Sequence, residues 1–453
     1  MTDPIGLGAV GTQSSDRVRV ESLSWATANG AVNAVANAGL CVLECPECHQ
    51  RPDIANLQNY LGCTDCSLRL GIPVNYTIAY PAPATKAQFE VARALPATRG
   101  IWRWSAMLPV EDPNPVSLGE GNTPLVHLQS LGPRLGLDGL YLKNESTNPT
   151  WSHKDRLCAS AVTAARALGA QTVAAASTGN HGVSLAAYAA RAGLRCVIST
   201  ISSVPDTMKI LMEAYGAELQ VVEDWNERYQ LIADGVRDEG WFACSNSTAV
   251  PVGSTPYGVD AYKTIAYELW EQFGGAPIGA VVVPAGYGDC LAGIVRGFED
   301  LRTAGLLEAW PKFIAAEVFG RITQSLKSIE PTTGPYGVSP TAAFSIGGAY
   351  TTHQALYALR TSGGTAVSVS EDEILETQAS LASLEGFYAE ASSCVAVAAA
   401  KIACRSGLIS SNLPSVVVST STGLKDTKAT QKWLQQHREN PVVRVGERSD
   451  LTV

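Results

Sequence analysis

Unbroken runs of small and branched apolar residues recur along most of this chain. Each is followed by an Ala-rich stretch with helical spacing, and that alternation narrows the fold more than any other feature. Leu140-Y-L-K precedes a helical pattern from Asp155 to Leu168, and Thr172-V-A-A-A-S precedes one from Gly182 to Ala192. Further runs are Arg195-C-V-I-S-T, Ile278-G-A-V-V-V-P, Lys312-F-I-A-A-E-V and Ser415-V-V-V-S-T. A strand that is apolar at consecutive positions is buried on both faces, as in a parallel sheet with helices on either side. The expected class is α/β, with two doubly wound parallel-sheet domains and no internal repeat of fixed period.

The chain has 453 residues, enough for two or three domains of roughly 150 residues each. Composition shifts divide it into an N-terminal arm (1–35), a zinc-ribbon-like module (36–78) and a Pro-containing connector (79–118). A smaller α/β domain (119–255), a larger one (256–430) and a C-terminal tail (431–453) follow. With 33 Lys and Arg against 42 Asp and Glu, the net charge is −9. That balance argues against a non-specific grip on nucleic acid or an anionic membrane. No apolar run reaches the roughly 20 residues that span a bilayer. The opening M-T-D-P-I-G-L-G lacks the basic-then-apolar order of a secretion signal, so a cytoplasmic protein is expected.

Five of the 11 cysteines lie between Cys41 and Cys66. Cys45-P-E-Cys48 and Cys63-T-D-Cys66 are two Cys-x-x-Cys knuckles, each able to turn two thiolates toward one ion. Cys45, Cys48, Cys63 and Cys66 are therefore the expected ligands of a structural zinc, with Cys41 and His49 as surplus donors. A ribbon that packs without metal is the alternative. Four thiolates leave no open coordination position for chemistry.

Ligands of open α/β sheets collect at the carboxyl ends of strands, and four polar loops lie at such places. In Ser146-T-N-P-T-W-S-H-Lys154-D-R a lysine opens a helix, where the dipole disfavours an ammonium and favours the amine needed for Schiff-base chemistry. In Ala176-S-T-G-N-H-Gly182 the amides and polar side chains at a helix start suit a carboxylate, or simply form a capped turn. Val283-P-A-Gly286-Y-Gly288-D-C allows a phosphate to approach the backbone. Val418-S-T-S-T-G-L-K-Asp426 offers hydroxyls at a strand end.

Taken together these loops resemble those of the fold-type II pyridoxal-phosphate enzymes, in the threonine synthase-like branch of the tryptophan synthase beta superfamily. The resemblance runs from about Leu118 to Asp426 and is carried by Gly119-E-G-N-T-P-L, Asn148-P-T-W-S-H-Lys154-D-R, Ser177-T-G-N-H-G, Lys263-T-I-A-Y-E-L and Thr422-G-L-K-D. It implies that Lys154 carries pyridoxal 5'-phosphate as a Schiff base and serves as general base. Asn180 is then expected on the ring 3-hydroxyl, with Ser177, Thr178 and His181 around the substrate carboxylate. Gly286, Tyr287, Gly288, Asp289 and Cys290 are expected to cradle the cofactor phosphate. Thr420, with Thr422 as the fallback, is expected to meet the pyridine nitrogen. A homodimer acting on a small amino acid is expected as well.

Two departures bear on the substrate. Trp151 stands where relatives commonly carry glycine, and is expected to wall the substrate pocket or else to pack under the following helix. Relatives also commonly supply an arginine shortly before the Lys263 helix, whereas Ser245-N-S-T-A-V-P-V-G-S-T-P has none. Arg156 or Lys263 is expected to stand in for it. The implied activity is a PLP-dependent lyase reaction, O-phosphohomoserine to threonine. The alternatives are β-replacement on phosphoserine or another serine-type substrate, and deamination of threonine or diaminopropionate.

Overall fold

The computed structural model describes residues 41–52, 60–328 and 337–438. The expected N-terminal arm and the tail beyond Arg438 lie outside the described residues. The tail's start belongs to a helix, Lys428–Arg438.

Twelve strands occur among the described residues: β1 (Val42–Glu44), β2 (Thr77–Ala79), β3 (Leu125–His127), β4 (Leu140–Asn144), β5 (Thr172–Ala176), β6 (Arg195–Ile201), β7 (Glu218–Val222), β8 (Phe242–Ala243), β9 (Ala280–Pro284), β10 (Lys312–Glu317), β11 (Thr365–Ser368) and β12 (Ser415–Ser419). Six helices bear on the site or its supports: α1 (Lys154–Ala167), α2 (Asn180–Ala192), α3 (Glu227–Glu239), α4 (Lys263–Gln272), α5 (Asp289–Thr303) and α6 (Ala391–Arg405).

The strands form three sheets. The largest has the order β11-β10-β9-β12-β4-β3, the second β7-β6-β5-β8, and β1 pairs with β2. All pairings in the two larger sheets are parallel except β3 with β4. Every residue of β9 and β12 is buried, as the unbroken Val runs require of strands covered on both faces. Edge strand β7 instead leaves all five positions at least partly exposed.

The expected division at 255 is corrected by the strand order. β3 and β4, placed with the smaller domain, belong to the six-stranded sheet, where β4 runs in register with β12 from Leu140↔Ser415 to Asn144↔Ser419. The four-stranded sheet uses only residues between 172 and 243. The smaller layer is thus inserted into the larger one, and β4 leads directly to the Lys154 loop. The carboxyl ends of β5, β9 and β12 supply the other three polar loops.

Residues 41–52 and 60–79 pack as a small module closed by the antiparallel β1–β2 pair. It leans on the body through Asn75 Nδ2, which donates to the Ser254 carbonyl at 2.9 Å, and through His353 Nε2 beside Glu47 Oε1 at 2.9 Å. In the connector, Lys86–Ala94 is helical behind a reciprocal Thr85–Gln88 capping box. Its buried Phe89 packs edge-on against Tyr267 and Trp270.

Candidate active site

Lys154 is the first residue of α1, held where two elements meet. Ser152 bridges to Ser421, and the His153 amide donates to the Thr420 carbonyl at 2.9 Å. Lys154 Nζ lies 5.8 Å from the Tyr262 ring centre. His153 stacks on the same ring at 5.4 Å, and its Nδ1 lies 3.2 Å from the Thr420 carbonyl. Burial, reinforced by Lys154, pushes the His153 imidazole well below its usual pKa, so it stays neutral and packs.

A cleft lined by Lys154 also contains Ser177, Thr178, Asn180 and His181 from the start of α2. Ser177 Oγ accepts from the Gly182 amide at 2.8 Å and the Gly179 amide at 3.3 Å, so it caps α2. Its own O–H stays available. His181 is 9% exposed, burial holds it neutral, and its Nε2 has no partner among the described residues.

The 286–290 segment also lines the cleft. Gly288, at φ +74°, is the residue before α5, and no side chain caps that helix. A Cβ there would sit 2.4 Å from the Ala355 Cβ, and one on Gly286 would meet the Ile346 backbone at 3.2 Å. Only glycine lets the chain turn so tightly and leave its amides bare at a helix N-terminus. Asp289 is turned aside to Ser254 Oγ, at 2.6 Å, and to Gln354. Cys290 lines the cleft with its thiol pushed up by burial. Tyr287 meets the Tyr229 hydroxyl at 3.1 Å.

The end of β12 completes the cleft. Thr420 lines it, with Oγ1 2.9 Å from Ser393 Oγ. Thr422, the fallback, instead caps the next turn by accepting from the Leu424 amide at 3.3 Å.

Three expected residues lie elsewhere. Trp151 is 43% exposed and is not among the cleft residues, and it neither walls the pocket nor packs beneath α1. Its backbone explains why glycine suits this position: φ is +60°, and its carbonyl accepts from Ser421 Oγ at 3.0 Å. Lys263 is buried between Asp260 and Asp300, 3.1 Å from each. Arg156 is buried between Glu145 and Glu268. Neither cation reaches the cleft. The cation that does is Arg228 of α3. It is 2% exposed, held by the Trp225 carbonyl at 3.2 Å and the Tyr229 hydroxyl at 3.1 Å, and stacked 3.8 Å over Trp225. No described carboxylate pairs with it.

Residues 116–423 match the family described as pyridoxal-phosphate dependent enzyme. The chain belongs to that family. It is 32% identical to a threonine synthase of Methanocaldococcus jannaschii over 339 residues, 73% of this chain and 82% of that protein. A threonine synthase of Methanosarcina acetivorans is 33% identical over 72% of this chain and 80% of its own length. Among solved structures, maize serine racemase superposes with a TM-score of 0.60 at 17% identity, covering 80% of this chain and 100% of that one. A threonine deaminase of Solanum lycopersicum gives 0.60 at 21% identity, over 69% and 87% of the two chains. At those identities the two structures speak for the fold alone.

The cleft fits the family's cofactor. Among the described residues, the bare start of α5 suits a phosphate, Lys154 is the only lysine lining the cleft, and two buried polar atoms there, His181 Nε2 and Ser392 Oγ, lack protein partners. Beyond the sequence expectations, Arg228, Tyr229, Ser345 and Ser392 also line it. Glu390 and Lys425 stand behind Asn180. Lys425 lies inside the quoted Thr422-G-L-K-D run, and Glu390-A-S-S carries its own hydroxyl cluster. Arg228 gave no signal, being one charge on an amphipathic helix.

The second cluster lies in the small module. The sulfur atoms of Cys45, Cys48, Cys63 and Cys66 all lie within 4.8 Å of one another, with Cys48 and Cys63 3.8 Å apart. Cys41 stays outside, its amide on the Pro109 carbonyl, and His49 pairs with Glu44 at 3.1 Å. No helix among the described residues is long and apolar enough to cross a membrane.

Proposed function

We propose that this threonine synthase-like enzyme acts on an amino acid bearing a distal phosphate, converting O-phosphohomoserine and water to threonine and phosphate. Arg228 carries the reading. A buried guanidinium without a carboxylate is costly unless an anion completes it, and this one borders the same cleft as Lys154. It supplies the cation that the 245–256 segment lacks, from a different helix.

Bound in the cleft, pyridoxal phosphate supplies an electron sink for charge developing at the substrate's α carbon. Lys154, on the rigid start of α1, is assigned to hold the cofactor and to move the α proton. The amides at the start of α2, with Thr178 and the Ser177 hydroxyl, bind the substrate carboxylate. Gly286 to Cys290 hold the cofactor phosphate through backbone amides, and Thr420 meets the ring nitrogen as a neutral hydroxyl. Neutral His153 and His181 add no competing positive charge beside Lys154.

Arg228→Met tests the substrate. One charge-assisted contact is worth about 1.5–3 kcal/mol, so kcat/KM for phosphohomoserine should fall roughly 10- to 100-fold, with values for serine and threonine unchanged. An equal fall for every substrate, with weaker cofactor binding, would assign Arg228 to the cofactor phosphate instead. Preference for phosphoserine in the same panel would move the reading to β-replacement.

We also propose that Cys45, Cys48, Cys63 and Cys66 hold one structural zinc. Tetrahedral thiolates about 2.3 Å from one ion lie close to the observed sulfur spacing. Protein purified without added metal should contain one zinc per chain, and chelation should lower its melting temperature. Metal-free protein of full stability would leave a ribbon that packs without an ion.

A further inference from the structure

We propose that Lys425 and Glu390 clamp the Asn180 amide in a single orientation, which makes Lys425 a positioning residue for whatever Asn180 holds in the cofactor site. Lys425 Nζ donates to Asn180 Oδ1 at 2.7 Å, and Asn180 Nδ2 donates to Glu390 Oε2 at 2.7 Å. Ser421 Oγ also lies 3.1 Å from Oδ1, its single O–H shared with the Trp151 carbonyl at 3.0 Å, and Ser345 Oγ steadies the other Glu390 oxygen. Lys425 is 3% exposed and Glu390 2%.

The two charges reach each other through the amide that separates them. An ordinary structural ion pair would bring them into contact, whereas here each spends its charge on one end of a neutral side chain. Turning the amide over would set its NH₂ against the ammonium and its carbonyl against the carboxylate, where burial leaves little screening. An unclamped asparagine offers either end to a ligand, and the hydrogen-bond network decides which. The clamp leaves one uncommitted N–H on Nδ2, in a side chain that lines the cleft. The ammonium also polarises the amide and makes that N–H a stronger donor. Burial lowers the Lys425 ammonium to about 8, with Glu390 and Asp155 pulling the other way, so the charge is present at neutral pH.

This inference rests on the reading that Asn180 faces an oxygen of bound pyridoxal phosphate. It is tested on resolved apoprotein by titrating pyridoxal phosphate, and on the holoenzyme by following the visible cofactor band with pH. Lys425→Met should raise the cofactor Kd about tenfold, the loss of one good hydrogen bond, and should shift the pH at which the band changes. In an Asn180→Ala background the same substitution should do neither. Glu390→Gln, nearly isosteric, removes the charge at the other end and lets an NH₂ face the amide as readily as a carbonyl, so it should act in the same direction, more weakly, should Lys425→Met fail to fold. Wild-type Kd and band in a folded Lys425→Met protein, or an equal effect of either substitution without Asn180, overturns the clamp. A wild-type protein that binds no pyridoxal phosphate overturns the site reading instead.

Discussion

Lys154→Ala should give a folded protein with turnover reduced at least about 10²- to 10⁴-fold, the range expected when a positioned proton-transfer group is lost. Every other group in the cleft would remain, so the loss tests one amine. Folding should survive for reasons visible locally. The Lys154 side chain is only half-buried, and its recorded partner is the face of Tyr262 at 5.8 Å, a contact worth little. Alanine is well tolerated at a helix start. The thermal midpoint should therefore stay within a few degrees of the wild-type apoprotein, and far-UV circular dichroism should overlay. Because Lys154 is also assigned to hold the cofactor, the purified variant should lose the visible band on dialysis. Substantial residual turnover with an unchanged band would move the chemistry to another residue.

Much of this site could be read from residue order because each loop follows a buried strand. Val281 to Val283 announce a covered strand, and Gly286 and Gly288 then mark the tight approach to α5. The Cys-x-x-Cys pairs were legible for the same reason, since ligand spacing is local. What escaped is set by contacts distant in sequence. Asn180 meets Glu390 and Lys425 across 210 and 245 residues. Arg228 enters from a helix whose surface pattern resembles any other. The domain boundary failed similarly, because β4 pairs with β12 from the far end of the chain. Trp151 misled through chemistry: a glycine's absence reads as filled space, but the constraint there is a positive φ, and the residue is 43% exposed with its ring centre 6.0 Å from Lys425 Nζ.

Arg156→Leu should destabilise the fold by about 3–5 kcal/mol at neutral pH, the cost of breaking a buried ion pair from one side. That is a large part of a typical stability of about 5–15 kcal/mol. Arg156 is fully buried and bonds both Glu145 oxygens, at 2.7 and 2.9 Å, and both Glu268 oxygens, at 2.6 and 2.8 Å. Lys143 approaches Glu268 at 2.7 Å, so two cations and two carboxylates balance. Burial works against the Glu268 carboxylate, but Arg156 and Lys143 overcome it and hold its pKa well below the usual range. In the wild type that depressed pKa contributes stability above the unfolded value near 4.3, lost only as the pH falls further. Remove Arg156 and two buried carboxylates share one cation, Lys143, so the Glu145 carboxylate keeps only the neutral donors Thr123 and Asn148 and its pKa rises above the unfolded value. Its penalty is then relieved as pH falls through that raised pKa. The stability gap between wild type and variant should therefore be widest near pH 7–8 and narrow toward about pH 5. Urea unfolding at several pH values measures it. A gap that stays constant with pH would mean the loss is one of packing, because only the unpaired carboxylate makes it titrate.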